Sequence, residues 1–508
     1  MKFSPDVRNT AKAEFSKPIV MAKLDCILFL NQLALDLVAA DFSDGHSPTQ
    51  GGPTRTSRAL AIIHLAMHDA YAILNGSFAP TLKSPPAKPA TIPVNDENNA
   101  LAMGAAAFAT CRALYPDELA RIDHVAADYR QIFAPTASPN TPAEAFGESV
   151  AAAWLTEREN DGADAPMRYA PSREPGAHRV DPHHPSQGYL HPAWGKVAPF
   201  VIKTVAADAP LSAPPALHTQ EYADAYDQVA VLGRDDTPMK DAKFREQALI
   251  GIFWGYDGAN KLGTPPRLYN QVIRQIVADF EKNGTPLSVA DNVRLFAGVN
   301  AAMADAGIAA WHWKYVYNFW RPVLGIREAD AGCGPTERGD GNKLRKEPGN
   351  PFWCPLGAPN TNSDVRNGIR PVTENFTPNF PAYPSGHATF GSACFETAAA
   401  FFGKTPEQIK VTFVSDELNG KNADNRGIVR PKIARSFTLR EAIEENKISR
   451  IYLGVHWSFD ATSGETVGKA VAQKAAGIYT RVPAPAPTGS TLAKSSSSST
   501  ATPQSKKV

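Results

Sequence analysis

Three separate stretches of this 508-residue sequence carry cationic, histidine and carboxylate side chains at spacings that suit the binding of an oxyanion. The first stretch ends at Pro322 and places Lys314 and Arg321 among aromatic residues. Seven residues nearly complete two helical turns, so the two cations are expected on one face of a buried helix. Two buried cations need an anionic partner, because an unpaired charge is costly to remove from water.

The second stretch reads Pro-Ser-Gly-His over 384–387 and precedes small and apolar residues at helical spacing. Ser385 is a good N-cap, so Gly386 and His387 are expected at the start of a helix. Backbone N–H groups there lack partners, and the helix dipole attracts anions. His387 adds a titratable group at the same place. An ordinary capped helix would also explain this stretch when it is taken alone.

The third stretch runs over 449–460 and contains Arg450, His456 and Asp460. His456 and Asp460 are four residues apart and face one another if the segment is helical. A carboxylate that holds one imidazole nitrogen leaves the other free as a metal ligand or nucleophile. Gly454 is expected to break the helix between Arg450 and His456. Together the three stretches predict a site for a tetrahedral oxyanion bonded to one histidine, with a second histidine to move protons.

These stretches resemble the motifs shared by the vanadium-dependent haloperoxidases and the acid phosphatases that have the same site. The motifs are Lys-x6-Arg-Pro, Pro-Ser-Gly-His and Ser-Arg-x5-His-x3-Asp, and all three are unbroken and in order here. Three further stretches resemble the vanadium chloroperoxidases of filamentous fungi: residues 58–71, 256–270 and 417–420. The resemblance extends from about residue 24 to about residue 475 and is weak across 130–220 and 331–350.

The resemblance implies a role for each matched residue. His456 would be the covalent ligand of vanadium, and His387 would be the acid–base residue. The residues implied to hydrogen-bond the other vanadate oxygens are Lys314, Arg321, Ser385, Gly386 and Arg450.

The resemblance also implies residues around this ligand set. Asp257 would pair with one of the arginines, and Asp460 would hold His456. Trp311 and Phe380 would line the halide side of the pocket. Phe380 stands five residues before Ser385. An aromatic residue at this position resembles the pattern of the chloride-oxidising members of the family, whereas many bromoperoxidases have histidine there.

The predicted reaction is the vanadate-dependent oxidation of chloride or bromide by hydrogen peroxide to hypohalous acid, which halogenates a small organic acceptor. His387 would take the proton of the peroxide, and Lys314 would polarise it. The alternative is an acid phosphatase that cleaves phosphate monoesters, with His456 as the nucleophile of a phosphohistidine intermediate. The motifs do not separate the two activities. The aromatic surroundings and the chain-long resemblance favour the haloperoxidase, and a protein that only bound an oxyanion would need neither histidine.

Helical patterns dominate the sequence and strand signals are few, so an all-α fold is predicted. The resemblance adds two antiparallel helical bundles packed as one unit, with long irregular loops. The expected division is a flexible segment over 1–22, a first bundle over 23–235, a second bundle with the site over 236–480, and a disordered Pro- and Ser-rich tail over 481–508. Helices are predicted near 405–419 and 456–480.

The composition and the amino-terminal region limit the partners and the location of the protein. A net charge of +1 gives no case for binding nucleic acid or an anionic membrane. Residues 1–22 lack the apolar core of a signal peptide, and polar residues interrupt the apolar run from Leu24. We therefore expect a soluble protein without a classical export signal or membrane anchor, either cytoplasmic or secreted by another route.

Three further sets of residues have alternative interpretations. His64 and His68 have the spacing of a metal pair but stand among apolar residues, which favours packing in the core. The histidines of the irregular region 163–217 are more typical of a surface loop, which would shape the pocket mouth. Cys333 and Cys354 flank a polar loop and would bridge it only in an oxidising compartment.

Overall fold

The computed structural model describes residues 25–43, 47–166, 168–363 and 375–480, and helices form most of the regular structure in these ranges. The segments predicted to be flexible at 1–22 and disordered at 481–508 lie outside the described residues. The α-helices, in chain order, are α1 (Cys26–Asp41), α2 (Gly52–Asn75), α3 (Asp96–Leu114), α4 (Leu119–Phe133), α5 (Pro142–Arg158), α6 (Val205–Asp208), α7 (Gln220–Leu232), α8 (Ala242–Phe253), α9 (Pro265–Lys282), α10 (Val289–Tyr317), α11 (Pro322–Arg327), α12 (Gly386–Phe401), α13 (Leu439–Tyr452) and α14 (Ser458–Ile478).

The core is built around α10, which packs against α2, α12 and α14. The larger cluster of buried apolar side chains includes residues of α1–α5 together with α9, α10, α12 and α14. Helices from both ends of the chain therefore share one core, and the predicted all-α fold is confirmed. α10 is long and apolar enough to cross a membrane, but its apolar stretch is wholly buried inside the protein, as expected of a core helix.

A small sheet stands where the sequence predicts a helix over 405–419, so that prediction is wrong. Strand β1 (Lys410–Asn419) pairs antiparallel with strand β2 (Lys432–Thr438). Along the start of β1, exposed Lys410 and Thr412 alternate with buried Val411 and Phe413. This two-residue period, together with the β-branched residues Val411, Thr412 and Val414, suits a half-buried strand and not a helix.

The expectation that Lys314 and Arg321 share one face of one helix is also wrong. α10 ends at Tyr317 because Asn318 adopts the left-handed conformation, with φ of 52°. Asparagine tolerates this conformation better than most residues. The Asn318 side chain also accepts a hydrogen bond of 2.5 Å from the Tyr169 hydroxyl. Arg321 therefore reaches the site as the N-cap of the next helix, α11.

Gly454 separates Arg450 from His456, as predicted. α13 ends at Tyr452, and Gly454 follows with φ of +71°. A side-chain carbon at Gly454 would lie 2.3 Å from the carbonyl oxygen of Gly233, so glycine meets both the conformational and the spatial demand. α14 begins only at Ser458, which places His456 on the turn before the helix.

His64 and His68 are core residues, which confirms the interpretation that the sequence favours. His64 Nδ1 donates to the carbonyl oxygen of Leu60 at 2.6 Å, and its Nε2 accepts from Asn31 Nδ2 at 2.9 Å. Within the described ranges, no group of three or more His, Cys, Asp and Glu residues could hold a metal ion. Cys333 and Cys354 are not joined by a disulfide bond in the structure.

Candidate active site

The three predicted stretches meet at one place: the end of α10, the start of α12 and the turn between α13 and α14. Lys314, in the last turn of α10, is completely buried. Its ammonium group donates to the carbonyl oxygens of Pro381, Ala382 and Pro384 at 2.7, 3.0 and 2.5 Å. These bonds fix the loop that leads into α12. Lys314 therefore holds the N-terminal end of α12 next to α10.

The start of α12 is tied to α14. Ser385 is the N-cap, and its backbone N–H donates to the carbonyl oxygen of Asp460 at 2.8 Å. A side-chain carbon at Gly464 would lie 2.5 Å from the carbonyl oxygen of Ser385, so the two helices approach as closely as their backbones allow. The N–H groups of Gly386 and His387, which precede the Ala388 N–H that Ser385 caps, are thereby held at the site.

His456 has a fixed protonation pattern. Its Nδ1 lies 2.9 Å from Asp460 Oδ2, and its Nε2 lies 2.9 Å from Arg321 Nη1. Since a carboxylate accepts and a guanidinium only donates, Nδ1 carries the proton and Nε2 carries the lone pair. This lone pair is the free nitrogen that the sequence predicts. A bond from Nε2 to a metal would replace the hydrogen bond from Arg321.

The two arginines bring unused donors to the same place. Arg321 donates through Nε to the Phe380 carbonyl oxygen at 2.9 Å, and Arg450 Nη2 pairs with Asp257 Oδ1 at 2.7 Å. Arg321 Nη2, Arg450 Nε and Arg450 Nη1 are buried and have no hydrogen-bond partner among the residues that the structure describes. Buried donors of this kind are rare, and an anion would satisfy them.

Positive charge exceeds negative charge at the site, which favours the binding of an anion. Among the residues that the structure describes, the three buried cations Lys314, Arg321 and Arg450 face two buried carboxylates, those of Asp257 and Asp460. Burial, followed by the neighbouring Arg321, lowers the pKa of Lys314 well below its ordinary value. Burial also lowers the pKa of Arg321 to about 9. Both shifts express mainly the cost of burying a positive charge, and a bound oxyanion would offset part of that cost.

His387 is oriented by a backbone carbonyl. Its Nε2 lies 2.8 Å from the carbonyl oxygen of Gly255 and 3.7 Å from Asp257 Oδ1. Because a carbonyl only accepts, Nε2 carries the proton of the neutral ring, and Nδ1 keeps its lone pair. Burial, and then the charge of Arg450, lower the pKa of His387 to about 4. The ring is therefore neutral near pH 7, with its lone pair on Nδ1.

A cavity of about 220 Å³ opens beside these groups. Its polar end is formed by Asp257, His387, Arg450 and His456. Its apolar wall consists of Phe42, Leu190, Trp311, Phe376, Pro378, Phe380 and Phe390. Trp311 and Phe380 lie side by side with ring centroids 4.7 Å apart, and Leu190 belongs to the irregular loop that was expected at the pocket mouth. Lys314 and Arg321 do not line the cavity and lie behind this layer.

Several residues at the site carry no signal in the sequence. The carbonyl oxygen of Gly255 orients His387, but a backbone carbonyl belongs to every residue type. Asn446 Nδ2 donates to the carbonyl oxygen of His387 at 2.8 Å from the neighbouring α13, and nothing in its spacing marks it. Phe42 and Leu190 come from distant parts of the chain and become neighbours of the site only through the fold.

Two parts of the sequence match the models of two domains of a known protein family. Residues 22–189 match the vanadium chloroperoxidase N-terminal domain, and residues 294–484 match the VCPO second helical-bundle domain. Among characterised relatives, the vanadium chloroperoxidase of Curvularia inaequalis is 33% identical over 529 aligned positions, which cover 89% of this chain and 82% of that protein.

Solved structures share the fold. A bacterial vanadium-dependent iodoperoxidase superposes with a TM-score of 0.65 at 20% identity, covering 90% of this chain and 98% of that one. The holo form of a bacterial vanadium-dependent chloroperoxidase gives a TM-score of 0.61 at 16% identity, covering 86% and 94% of the two chains.

Proposed function

Because this chain belongs to the vanadium chloroperoxidase family, we propose that its buried cation cluster holds vanadate and that the adjacent cavity is where hydrogen peroxide oxidises halide. Vanadate is the cofactor of the family, and the reaction combines halide, hydrogen peroxide and a proton to give hypohalous acid and water. The observation that carries the proposal is the set of buried guanidinium donors without a partner among the described residues, beside the Nε2 lone pair of His456. These donors can hydrogen-bond the oxygens of a tetrahedral oxyanion, and the His456 nitrogen can bond to its central atom.

The residues proposed to hold vanadate divide into a ligand and its neighbours. His456 Nε2 is the ligand, and Asp460 keeps its lone pair available by holding Nδ1–H. The vanadate oxygens are proposed to be stabilised by hydrogen bonds or by nearby positive charge. The residues that supply these are Lys314, Arg321, Ser385, Gly386 and Arg450. Bound vanadate supplies a Lewis acid that activates peroxide without changing its own oxidation state.

His387 is proposed to move the protons of the reaction. Its Nδ1 accepts a proton as hydrogen peroxide enters and returns it when hypohalous acid leaves. The bond from Nε2–H to the Gly255 carbonyl oxygen keeps the ring in position during both transfers. Lys314 contributes positive charge behind the site and, by turning one N–H from a carbonyl oxygen toward the anion, would polarise the bound peroxide.

Trp311 and Phe380 are proposed to form the halide side of the cavity. Their rings exclude water from one wall, which strengthens electrostatic interactions inside and strips a small anion of part of its hydration. An aromatic residue at 380 supports chloride as a substrate in addition to bromide. The released hypohalous acid would then halogenate small organic acceptors.

The test is reconstitution of halogenation. Protein stripped of metal is titrated with orthovanadate and assayed with hydrogen peroxide, bromide or chloride, and monochlorodimedone. We expect activity in proportion to bound vanadate up to one equivalent, with phosphate competing for the site. Turnover with chloride as well as bromide would support the assignment of Phe380. Inactivity with both halides, together with vanadate-inhibited hydrolysis of para-nitrophenyl phosphate, would favour the phosphatase alternative and make His456 a nucleophile.

A further inference from the structure

A three-residue segment, Gly255–Asp257, controls two groups of the site at once. The Gly255 carbonyl oxygen accepts from His387 Nε2 at 2.8 Å, and Asp257 Oδ1 accepts from Arg450 Nη2 at 2.7 Å. The segment follows the end of α8 and has no regular secondary structure of its own. Whatever fixes its backbone therefore sets the orientation of both His387 and Arg450.

Strand β1 fixes this segment. Ser415 Oγ donates to the carbonyl oxygen of Phe253 at 2.7 Å, and the backbone N–H of Asp416 donates to the Tyr256 hydroxyl at 2.8 Å. Glu417 reaches the segment itself, since its Oε1 accepts from the backbone N–H of Tyr256 at 3.1 Å. Tyr256 has φ of 53°, a conformation that a bulky residue holds only when its surroundings enforce it.

Glu417 is itself firmly held. It is completely buried, and its Oε2 accepts from Arg430 Nη1 at 3.1 Å and from the Thr361 hydroxyl. On the other side it packs directly on the segment, because a side-chain carbon at Gly255 would lie 2.7 Å from Glu417 Oε1. The carboxylate is thus a rigid link between β1 and the backbone next to the site.

We infer that Glu417 is a positioning residue for the vanadate-dependent reaction: it fixes Gly255–Asp257 and thereby the orientation of His387 and Arg450. Glu417 touches neither the cavity nor the residues proposed to hold vanadate, so it acts only through this segment. The inference rests on the proposed function, which supplies the roles of His387 and Arg450.

The test compares Glu417→Gln with Asp416→Asn. Asp416 is the adjacent residue of β1, and its carboxylate accepts from the side chains of Arg267 at 2.7 Å and Gln271 at 2.9 Å, whereas that of Glu417 accepts from the backbone of the segment. Both substitutions remove one charge from one ion pair and are expected to lower the melting temperature. In Glu417→Gln, an amide N–H2 group replaces an oxygen that accepts hydrogen bonds from Arg430 and Thr361. The side chain must therefore move, and the backbone of the segment loses its support. We expect this variant to lower kcat and to weaken vanadate binding by roughly tenfold or more, the usual effect of losing an outer-shell partner.

A second variant covers the case in which Glu417→Gln fails to fold. Thr361→Val removes one hydrogen bond to the same carboxylate at nearly constant volume and is expected to cause a loss of about fivefold in kcat. The inference is overturned if Glu417→Gln matches Asp416→Asn in both kcat and the dissociation constant of vanadate. A wild-type protein inactive with vanadate would instead contradict the proposed function, and the dissociation constants of the variants would still decide the role of Glu417.

Discussion

At the residue scale, the two histidines of the site have opposite protonation patterns, and each pattern has a visible cause. Asp460 accepts a hydrogen bond from Nδ1–H of His456, so the lone pair of that ring is on Nε2, whereas the Gly255 carbonyl oxygen accepts from Nε2–H of His387, so the lone pair of that ring is on Nδ1. Burial, and then nearby cations, hold the pKa of both rings below the ordinary value. Both rings are therefore neutral bases near pH 7, one suited to bind a metal and the other to move protons.

His387→Ala is predicted to keep vanadium and lose most of the halogenation activity. The substitution removes the proton acceptor but leaves His456 and the three cations in place. General acid–base catalysis contributes roughly 10²- to 10⁴-fold, so kcat should fall within that range. The measurement is turnover of monochlorodimedone by protein whose vanadium content per chain has been determined. Undiminished turnover of the loaded variant would remove His387 from the proposed mechanism.

The residue types at the site were predictable because they are unusual, whereas their supports were not. Buried cations beside Pro-Ser-Gly-His, and a carboxylate four residues after a histidine, indicate an oxyanion site from spacing alone. Glu417 and the Gly255 carbonyl oxygen carry no such signal. A single glutamate in a strand or a backbone carbonyl becomes informative only when the fold brings it next to His387 or to the segment that orients it.

At the element scale, the contact between α12 and α14 holds the anion-binding end of α12. The contact is possible because glycines face the partner backbone: side-chain carbons at Gly464 and Gly468 would each lie 2.5 Å from a carbonyl oxygen of the other helix. Both helices carry site residues, Ser385 on one and Asp460 on the other. Their close approach therefore sets the distance between the free N–H groups of α12 and His456.

Gly464→Ala is predicted to destabilise the fold and weaken vanadate binding. The added methyl group must displace the Ser385 carbonyl oxygen. Overpacking of this kind lowers the free energy of unfolding by about 1–3 kcal/mol. The same shift moves the start of α12, so the dissociation constant of vanadate should rise roughly tenfold.

Gly477→Ala is the matched control for this prediction. Gly477 lies in the same helix with nothing within 4 Å of an added carbon, so its substitution should be neutral or slightly stabilising. Calorimetric melting and vanadate titration of both variants give the comparison. Equal behaviour of the two variants would contradict the role assigned to the glycine contact.

The element boundaries show where periodicity fails. The seven-residue spacing of Lys314 and Arg321 predicts one face of one helix, but the left-handed Asn318 ends α10 before Arg321. The sequence predicts a helix near 405–419. The residues that form β1 there do alternate with a period of two, but only over a few positions. Short patterns of this kind do not separate helix from strand until the packing partner, here β2, is known.

At the scale of the whole molecule, one ion cluster joins the two helices that carry Arg450 and Asp460. Glu465 of α14 accepts from Arg440 at 2.7 Å and from Lys447 at 2.6 Å, both on α13, and from Lys469 at 2.8 Å on its own helix. Burial opposes the ionised form, but these hydrogen bonds outweigh it and lower the pKa of Glu465 to about 2. The carboxylate thus stabilises the packing of α13 on α14.

Glu465→Gln is predicted to lower stability near pH 7 by about 2 kcal/mol, somewhat less than the pKa shift alone implies, because Lys469 is half-exposed and water screens it. The folded-state pKa is depressed, so this stability is present above the unfolded value of 4.5 and is lost as pH falls toward 2. Melting of wild type and variant at pH 7 and pH 3 should show a difference that shrinks in acid.

Glu444→Gln is the control, because the exposed Glu444 binds the same Lys447 and Arg440 with little expected effect. A difference between wild type and Glu465→Gln that persisted unchanged at pH 3 would show that the cluster does not act through ionised Glu465.

The architecture was predictable to the level of its class. Long helical periods and few strand signals indicate an all-α protein, and helices from both halves of the chain share one core. The division at residues 235 and 236 stays a prediction. The meeting of three stretches that lie between residues 314 and 460 follows from long-range packing, which no local pattern encodes.

The most direct measurement is the vanadium content of purified wild-type protein and of His456→Ala after loading with orthovanadate and removal of free vanadate. We predict one tightly held vanadium per wild-type chain and none in His456→Ala, with both proteins folded by circular dichroism. Without the Nε2 lone pair, only hydrogen bonds and charge would remain, and phosphate should displace the anion readily. One tightly held vanadium per chain of His456→Ala would contradict the account, because the metal would then be bonded elsewhere.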